Sequence, residues 1–127
     1  MKTITSIIIK KHILSINKQE SLVLLNLDNT LRELAPIKSD FSIIHLASLI
    51  DYPTEKISKL LKKAYGKNFN QIVNLYRLEY MEKLIFQEVF SKKKINISEL
   101  IKQSGFKSRN SYYVTLKASR ELKLNTL

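Results

Sequence analysis

Three consecutive side chains that form hydrogen bonds, Arg109, Asn110 and Ser111, follow the second of only two glycines in the chain. Arginine can donate two hydrogen bonds to the O6 and N7 atoms of guanine, and asparagine can pair in a similar way with adenine. Glu55 follows an earlier turn, and its carboxylate can accept a hydrogen bond from the amino group of cytosine. An ordinary exposed helix would also tolerate these residues, so their chemistry alone leaves base contact and solvent exposure equally open.

Lysines accompany both of these stretches, and the chain as a whole is strongly basic. It contains 22 Lys+Arg against 11 Asp+Glu, a net charge of +11, and most of the excess lies after residue 40. Such an excess favours binding to a polyanion, most often a nucleic acid, although solubility is an alternative explanation. Lysine contacts to phosphate add affinity and salt dependence without reading sequence. The predicted phosphate-contacting residues are Lys56, Lys62, Lys63, Lys107 and Lys117.

The composition argues against several other kinds of site. The chain has no cysteine, so it can form neither a disulfide nor a thiolate metal site. His12 and His45 have no carboxylate or second histidine at ligand spacing, and we expect no metal and no cofactor. Paired carboxylates, a nucleophile with its base and a phosphate-binding loop are all missing, which argues against an enzyme. Since no apolar run reaches the ~20 residues of a membrane span, we expect a soluble chain without a membrane partner, and the absence of cysteine favours a cytoplasmic location.

The elements that must position these side chains are helices. Two glycines and two prolines leave little material for turns, so the predicted fold is all-α. Residues 1–38 form an N-terminal segment with one predicted helix at about 17–35, while residues 3–14 fit either a short strand or a helix. The rest of the chain is predicted as a helix pair at 39–68, a long linker helix at 69–90 and a second helix pair at 95–120.

The two helix pairs look like two copies of one unit. Ser42 corresponds to Asn96 as a helix cap, and Leu46 corresponds to Leu100 as a buried position. Each copy has a short helix, a tight turn with an aromatic residue, and a second helix with a polar, partly basic outer face. This is the plan of a helix-turn-helix, whose second helix enters a major groove. The linker helix, at ~1.5 Å per residue, approaches the ~34 Å between successive major grooves on one face of DNA.

From about Ser39 to Ala118 the chain resembles the DNA-binding domain of the AraC/XylS family of bacterial transcription regulators. The motifs that carry the resemblance are "LLKKAYGKNF", the arginine of "YRLEY" and "GFKSRNSYY". The resemblance implies two helix-turn-helix subdomains joined by a long helix, each placing a recognition helix in the major groove. Asp51 stands where the family usually has glycine, and Val114 stands where an arginine often reads a base.

The resemblance also implies which residues contact bases. They are Glu55, Ser58 and Lys59 in the first recognition helix and Arg109, Asn110, Ser111 and Val114 in the second. This assignment agrees with the base-reading chemistry of arginine, asparagine and glutamate described above.

We therefore expect a sequence-specific, double-stranded DNA-binding transcription regulator that acts as a monomer or weak dimer. RNA polymerase or another regulator is expected as a further partner. The alternative is a protein-interaction module of the same fold that binds another regulator rather than DNA. In that case, the apolar stretches within residues 1–35 would provide the docking surface.

The other aromatic and charged residues are interpreted as structural. Tyr65, Tyr76 and most of the remaining aromatic residues are predicted to lie in the core. Arg77 is interpreted as packing the linker helix against a subdomain rather than contacting DNA. Glu79, Glu82 and Lys83 are interpreted as ordinary charges on the surface of the linker helix.

Overall fold

The protein is all-α in the computed structural model, which describes residues 3–12, 16–92 and 94–125 of the chain. These residues form seven helices and no β-strand, which confirms the predicted fold class. The helices are α1 (Ile4–His12), α2 (Lys18–Leu34), α3 (Ile43–Ile50), α4 (Thr54–Tyr65), α5 (Phe69–Phe90), α6 (Ile97–Gln103) and α7 (Arg109–Asn125).

The N-terminal segment contains two helices where the sequence predicted one. The additional helix is α1, in which Ile4 and Ile8 lie one helical turn apart and are buried together with Thr5. α1 packs against α4 and α5. α2 begins at the predicted capping box, in which the Asn17 side chain accepts from the Glu20 N–H at 2.8 Å and Glu20 Oε1 accepts from the Asn17 N–H at 3.2 Å.

The first helix pair, α3 and α4, has the caps that the sequence predicted. Ser42 Oγ accepts a hydrogen bond from the His45 N–H at 3.1 Å and so caps α3. Asp51 ends α3 with a φ of 57°, a left-handed conformation that glycine adopts freely and aspartate tolerates. Gly66 ends α4 with a φ of 67°.

The long helix α5 has the predicted bounds and joins two cores. Its 22 residues span ~33 Å at the usual helical rise. Ile72 and Tyr76, in its first half, belong to a larger core formed with α1, α2, α3 and α4. Met81, in its second half, belongs to a smaller core formed with α6 and α7. α5 is therefore the element that connects the two helix pairs.

The second helix pair, α6 and α7, also begins at predicted caps. The Asn96 side chain accepts a hydrogen bond from the Glu99 N–H at 3.2 Å. The intervening turn contains Gly105, whose φ is 86°, as its predicted role requires. α7 continues to Asn125 and thus extends beyond the end at residue 120 that the sequence predicted.

The segment between α2 and α3 is hydrogen-bonded to α5 and lies close to the turn before α7. Arg77 of α5 donates through Nε to the Ala35 carbonyl oxygen at 2.9 Å and through Nη2 to the Lys38 carbonyl oxygen at 2.8 Å. Gly105 lies so close to the same segment that a Cβ atom there would stand 2.6 Å from the Pro36 carbonyl oxygen. Arg77 is thus a structural residue, in agreement with its interpretation from the sequence.

Candidate nucleic-acid interface

The outer face of α4 presents polar and basic side chains to solvent. Residues three or four positions apart share one face of a helix, and Ile57, Leu60 and Leu61 form the buried face of α4. All the predicted contact residues of this helix are exposed. They are Glu55, Lys56, Ser58, Lys59, Lys62 and Lys63.

Two of these lysines have partners within the protein. Lys63 Nζ lies 2.9 Å from Glu20 Oε1, and this hydrogen bond, followed by the one from the Asn17 backbone, lowers the pKa of Glu20. Lys56 Nζ lies 5.8 Å from the centroid of the Tyr52 ring. Lys63 is thus engaged in an ion pair with α2, and a phosphate would have to compete with Glu20 for it.

Some of the polar side chains at the start of α7 form hydrogen bonds within the protein. Ser108 Oγ accepts a hydrogen bond from the Ser111 N–H at 3.1 Å, and the two hydroxyl oxygens lie 2.9 Å apart. Ser111, predicted to contact a base, is only partly exposed, and its hydroxyl lies beside the capping hydroxyl of Ser108. Arg109 is exposed, and its Nη2 donates to Ser98 Oγ of α6 at 2.8 Å.

Further along α7, the exposed face contains an aromatic residue that the sequence analysis missed. Asn110, Val114 and Lys117 are exposed at spacings of three and four residues, and Lys107 is exposed just before the helix. Tyr113 is 51% exposed on the same helix, although most aromatic residues were predicted in the core. The adjacent residues Tyr112 and Tyr113 could have indicated this exposure. Side chains of neighbouring residues on a helix point ~100° apart, so the two rings are not expected to share the buried face.

A partly buried polar network on α5 holds the N-terminal helices in place. Glu79 Oε1 accepts hydrogen bonds from the backbone N–H and the hydroxyl of Thr5 at 2.9 and 2.5 Å. Its Oε2 accepts from Arg32 Nη1 at 2.9 Å, and its side chain is 10% exposed. The interpretation of Glu79 as an ordinary surface charge is therefore wrong, because α1 covers it.

Two tyrosine hydroxyls continue this network into the larger core. Tyr76 donates to Asp28 Oδ1 at 2.5 Å, and the Tyr65 hydroxyl is hydrogen-bonded to that of Tyr76. Because Tyr76 already donates to Asp28, Tyr65 is the donor of the second bond. Burial is the main cause that raises the pKa of both hydroxyls.

The structure also bears on metal and membrane sites. Among the described residues, no three His, Cys, Asp or Glu side chains lie close enough to share a metal ion. The side chain of His12 lies outside the described part of the chain, while the His45 ring packs with its centroid 5.3 Å from that of Phe41. Within the described ranges, no helix combines the length and the apolar composition needed to cross a bilayer.

Comparison with known proteins assigns no family to this arrangement. No family model matches the chain, and neither a curated protein nor a solved structure matches it. A function for the exposed faces of α4 and α7 therefore has to follow from the residues that they carry.

Proposed function

We propose that the chain is a sequence-specific, double-stranded DNA-binding transcription regulator. In this proposal, α3 with α4 and α6 with α7 are two helix-turn-helix subdomains, and α4 and α7 enter successive segments of the major groove. One observation carries the proposal: the predicted contact residues on these two helices and in the turn before α7 are exposed, with the exception of Ser111. The resemblance to AraC/XylS regulators supports it.

The side chains on the exposed face of α4 contribute little to the packing of the protein. Ile57, Leu60 and Leu61 on the opposite face supply the packing. The structure assigns no hydrogen bond or ion pair to the side chains of Lys59 and Lys62 among the residues it describes. Side chains of this kind are free to bind phosphates and base edges when a polyanion approaches, and the net charge of +11 attracts one.

Arg109 is the strongest candidate for reading a base. The guanidinium group has five N–H donors, and the bond to Ser98 Oγ uses one of the two on Nη2. The second Nη2 donor, together with the donor on Nε or on Nη1, leaves a fork for the O6 and N7 atoms of a guanine. Asn110, beside it and exposed, can pair with an adenine. Because Ser98 holds the guanidinium before DNA arrives, less side-chain entropy is lost on binding.

The length of α5 is compatible with two groove contacts by one molecule. The helix spans ~33 Å, close to the ~34 Å that separates successive major-groove segments on one face of DNA. Arg77 and the close approach of Gly105 to Pro36 fix this helix and the second turn to the same loop. We therefore propose binding as a monomer to two half-sites about one helical turn apart.

One observation favours the alternative, a protein-interaction module that binds another regulator. Phe86, Val89 and Phe90, near the end of α5, are 59%, 56% and 71% exposed. A cluster of exposed apolar side chains is typical of a protein contact surface. This surface lies on α5 rather than on α4 or α7, so it is compatible with DNA binding as well as with the alternative.

Selection from a random duplex library at near-physiological salt tests the proposal. The selected duplex is then titrated against a scrambled duplex of the same composition. We expect a preference of ~10³-fold or more and two selected half-sites about one turn apart. A single half-site would mean that only one of the two helices reads sequence, and uniform weak binding abolished by salt would contradict the proposal and favour the alternative.

A matched pair of lysine variants locates the binding face. In one variant, Lys62 and Lys117 are changed to alanine, and in the other, the exposed Lys18 and Lys102, on α2 and α6, are changed in the same way. Both variants lose two charges. We expect the salt slope of DNA binding to fall by about two in the first variant and to change less in the second.

A further inference from the structure

A cavity of about 470 Å³ lies on the side of α5 that faces the N-terminal helices and α7. Ile4 of α1, Arg32 of α2 and Lys123 of α7 contribute to its walls. The volume falls within the range of ~300–1,000 Å³ that is common for small-molecule sites. None of the residues proposed to contact DNA lines this cavity, so it would form a separate site.

One wall of the cavity is aromatic. Tyr76, Tyr80 and Phe86 all line it from α5. Tyr76 is buried and Tyr80 is partly buried, whereas Phe86 is 59% exposed although it lies beside a cavity. Aromatic side chains bind flat ring systems well, through apolar contact and through offset or edge-to-face stacking. The walls therefore suit a planar aromatic molecule.

The charges around the cavity favour an anionic group on such a molecule. Both oxygens of Glu79 accept hydrogen bonds within the protein, from Thr5 and Arg32. Lys83 is exposed at the edge of the cavity, and the structure gives its side chain no hydrogen bond or ion pair among the described residues. A second carboxylate of the lining, Glu82, forms an ion pair with Lys123, whose Nζ lies 3.6 Å from Glu82 Oε1. Both carboxylates of the lining thus have basic partners, while Lys83 remains available for a ligand.

We propose that this cavity binds a small aromatic molecule that carries one anionic group, with the rings against the α5 wall and the anion beside Lys83. α1 and α7 both supply walls, and α1 also packs against α4. A bound ligand would therefore contact α7 directly and α4 through α1. It would in this way act as an effector of DNA binding. This last consequence rests on the proposed function, whereas ligand binding itself does not.

Two fluorescent probes test the site directly. 8-Anilinonaphthalene-1-sulfonate is an aromatic anion, and N-phenyl-1-naphthylamine has the same rings without the sulfonate. We expect saturable, one-to-one binding of the sulfonate probe to the native protein, and weaker binding of the neutral probe. Lys83→Gln should weaken binding of the sulfonate about two- to fivefold, as expected for loss of an exposed ion pair, and leave the neutral probe unaffected.

Two matched controls separate the cavity from the rest of the surface. Phe86→Ala should weaken binding of both probes about three- to tenfold, whereas Tyr113→Ala, which changes an exposed aromatic residue of α7 outside the cavity lining, should change it by less than twofold. Lys18→Gln removes an exposed lysine elsewhere and should have no effect. Equal losses in the Phe86 and Tyr113 variants would overturn the cavity site, and so would the absence of saturable binding.

The effector role is measured separately, as the affinity for the selected duplex with and without a saturating concentration of the sulfonate probe. A change of at least threefold, lost in Phe86→Ala, supports coupling between the two sites. An unchanged affinity with the probe bound would overturn the effector role and leave the binding site intact. A protein that binds the probe but no duplex would contradict the proposed function instead.

Discussion

Arg77 Nε donates a hydrogen bond to the carbonyl oxygen of Ala35, the residue that ends α2, at a distance of 2.9 Å. Arg77 Nη2 also donates to the Lys38 and Ser39 carbonyl oxygens at 2.8 and 3.2 Å. One side chain of α5 thus satisfies three backbone acceptors of the loop between α2 and α3. The bond to Ala35 is buried and the other two are partly buried, so loss of this arginine would leave a costly unpaired carbonyl and loosen the loop.

Replacement of Arg77 by alanine should destabilise the fold substantially. The three carbonyl groups would lose their donor and a buried side chain would be removed, so we expect the free energy of unfolding to fall by about 3 kcal/mol. Lysine at this position should recover little of the loss, because a single ammonium group cannot reproduce the fork of donors. Chemical denaturation measures the change, and Arg120→Ala, at an exposed position of α7, serves as the control. Equal stability of the two alanine variants would contradict this role of Arg77.

The two glycines should differ in their tolerance of alanine. At Gly66, which is exposed, alanine meets mainly the cost of a left-handed conformation, about 1 kcal/mol. At Gly105 the φ of 86° adds to a contact of 2.6 Å between the new Cβ and the Pro36 carbonyl oxygen. Because that oxygen is part of the backbone, we expect a loss of about 3 kcal/mol or more in the free energy of unfolding. Similar losses at both glycines would show that the close approach to Pro36 is not important.

The proposed base contact of Arg109 predicts a loss of specificity. Arg109→Ala should cost about 1–3 kcal/mol on the selected duplex and relax the preference at one base pair. The residue is exposed, so the stability of the protein should change by less than about 0.5 kcal/mol. Competitive titration with duplexes that differ at each position identifies the affected base pair.

Lys62→Ala provides the comparison for Arg109→Ala. A phosphate contact carries no sequence information, so this substitution should weaken binding to all duplexes alike and reduce the salt slope by about one. If Arg109→Ala weakened binding to random duplexes as much as to the selected one, Arg109 would be a backbone contact rather than a base contact.

The buried tyrosines predict a loss of stability at alkaline pH. Burial raises the pKa of Tyr65 and Tyr76 in the folded protein above the ordinary value of 10.0. The stabilisation is therefore complete below pH ~10 and is lost at higher pH, where the unfolded chain releases protons that the folded protein retains. The slope should approach about 1.4 kcal/mol per pH unit for each of the two tyrosines. Urea unfolding at several pH values between 7 and 11 measures it.

Tyr65→Phe isolates the contribution of one hydroxyl. The substitution removes the donor to Tyr76 but leaves the bond from Tyr76 to Asp28, so it should cost about 1 kcal/mol at neutral pH. Above pH 10 its stability should decline less steeply than that of the unchanged protein. Parallel declines would mean that other groups, such as lysines, cause the alkaline unfolding.

Most of the helix bounds could be predicted from the sequence, whereas the structural roles of Ser111 and Glu79 could not. Asn17, Ser42 and Gly66 are caps whose signals lie within a few residues, and α5 begins and ends at the predicted positions. Ser111 was assigned to a base contact, but its position one turn after Ser108 makes it part of the α7 cap. Glu79 was assigned to the surface because the packing of α1 against α5 is not visible in a local pattern.

The sequence by itself determined the all-α fold, the ends of most helices and the buried face of most of them, because capping and periodicity act over a few neighbouring residues. Only the tertiary structure decided which surfaces meet. It brought Arg77 and Gly105 to the loop after α2, and it placed Lys63 beside Glu20. Such contacts depend on how helices pack across long separations in sequence, which no local pattern encodes.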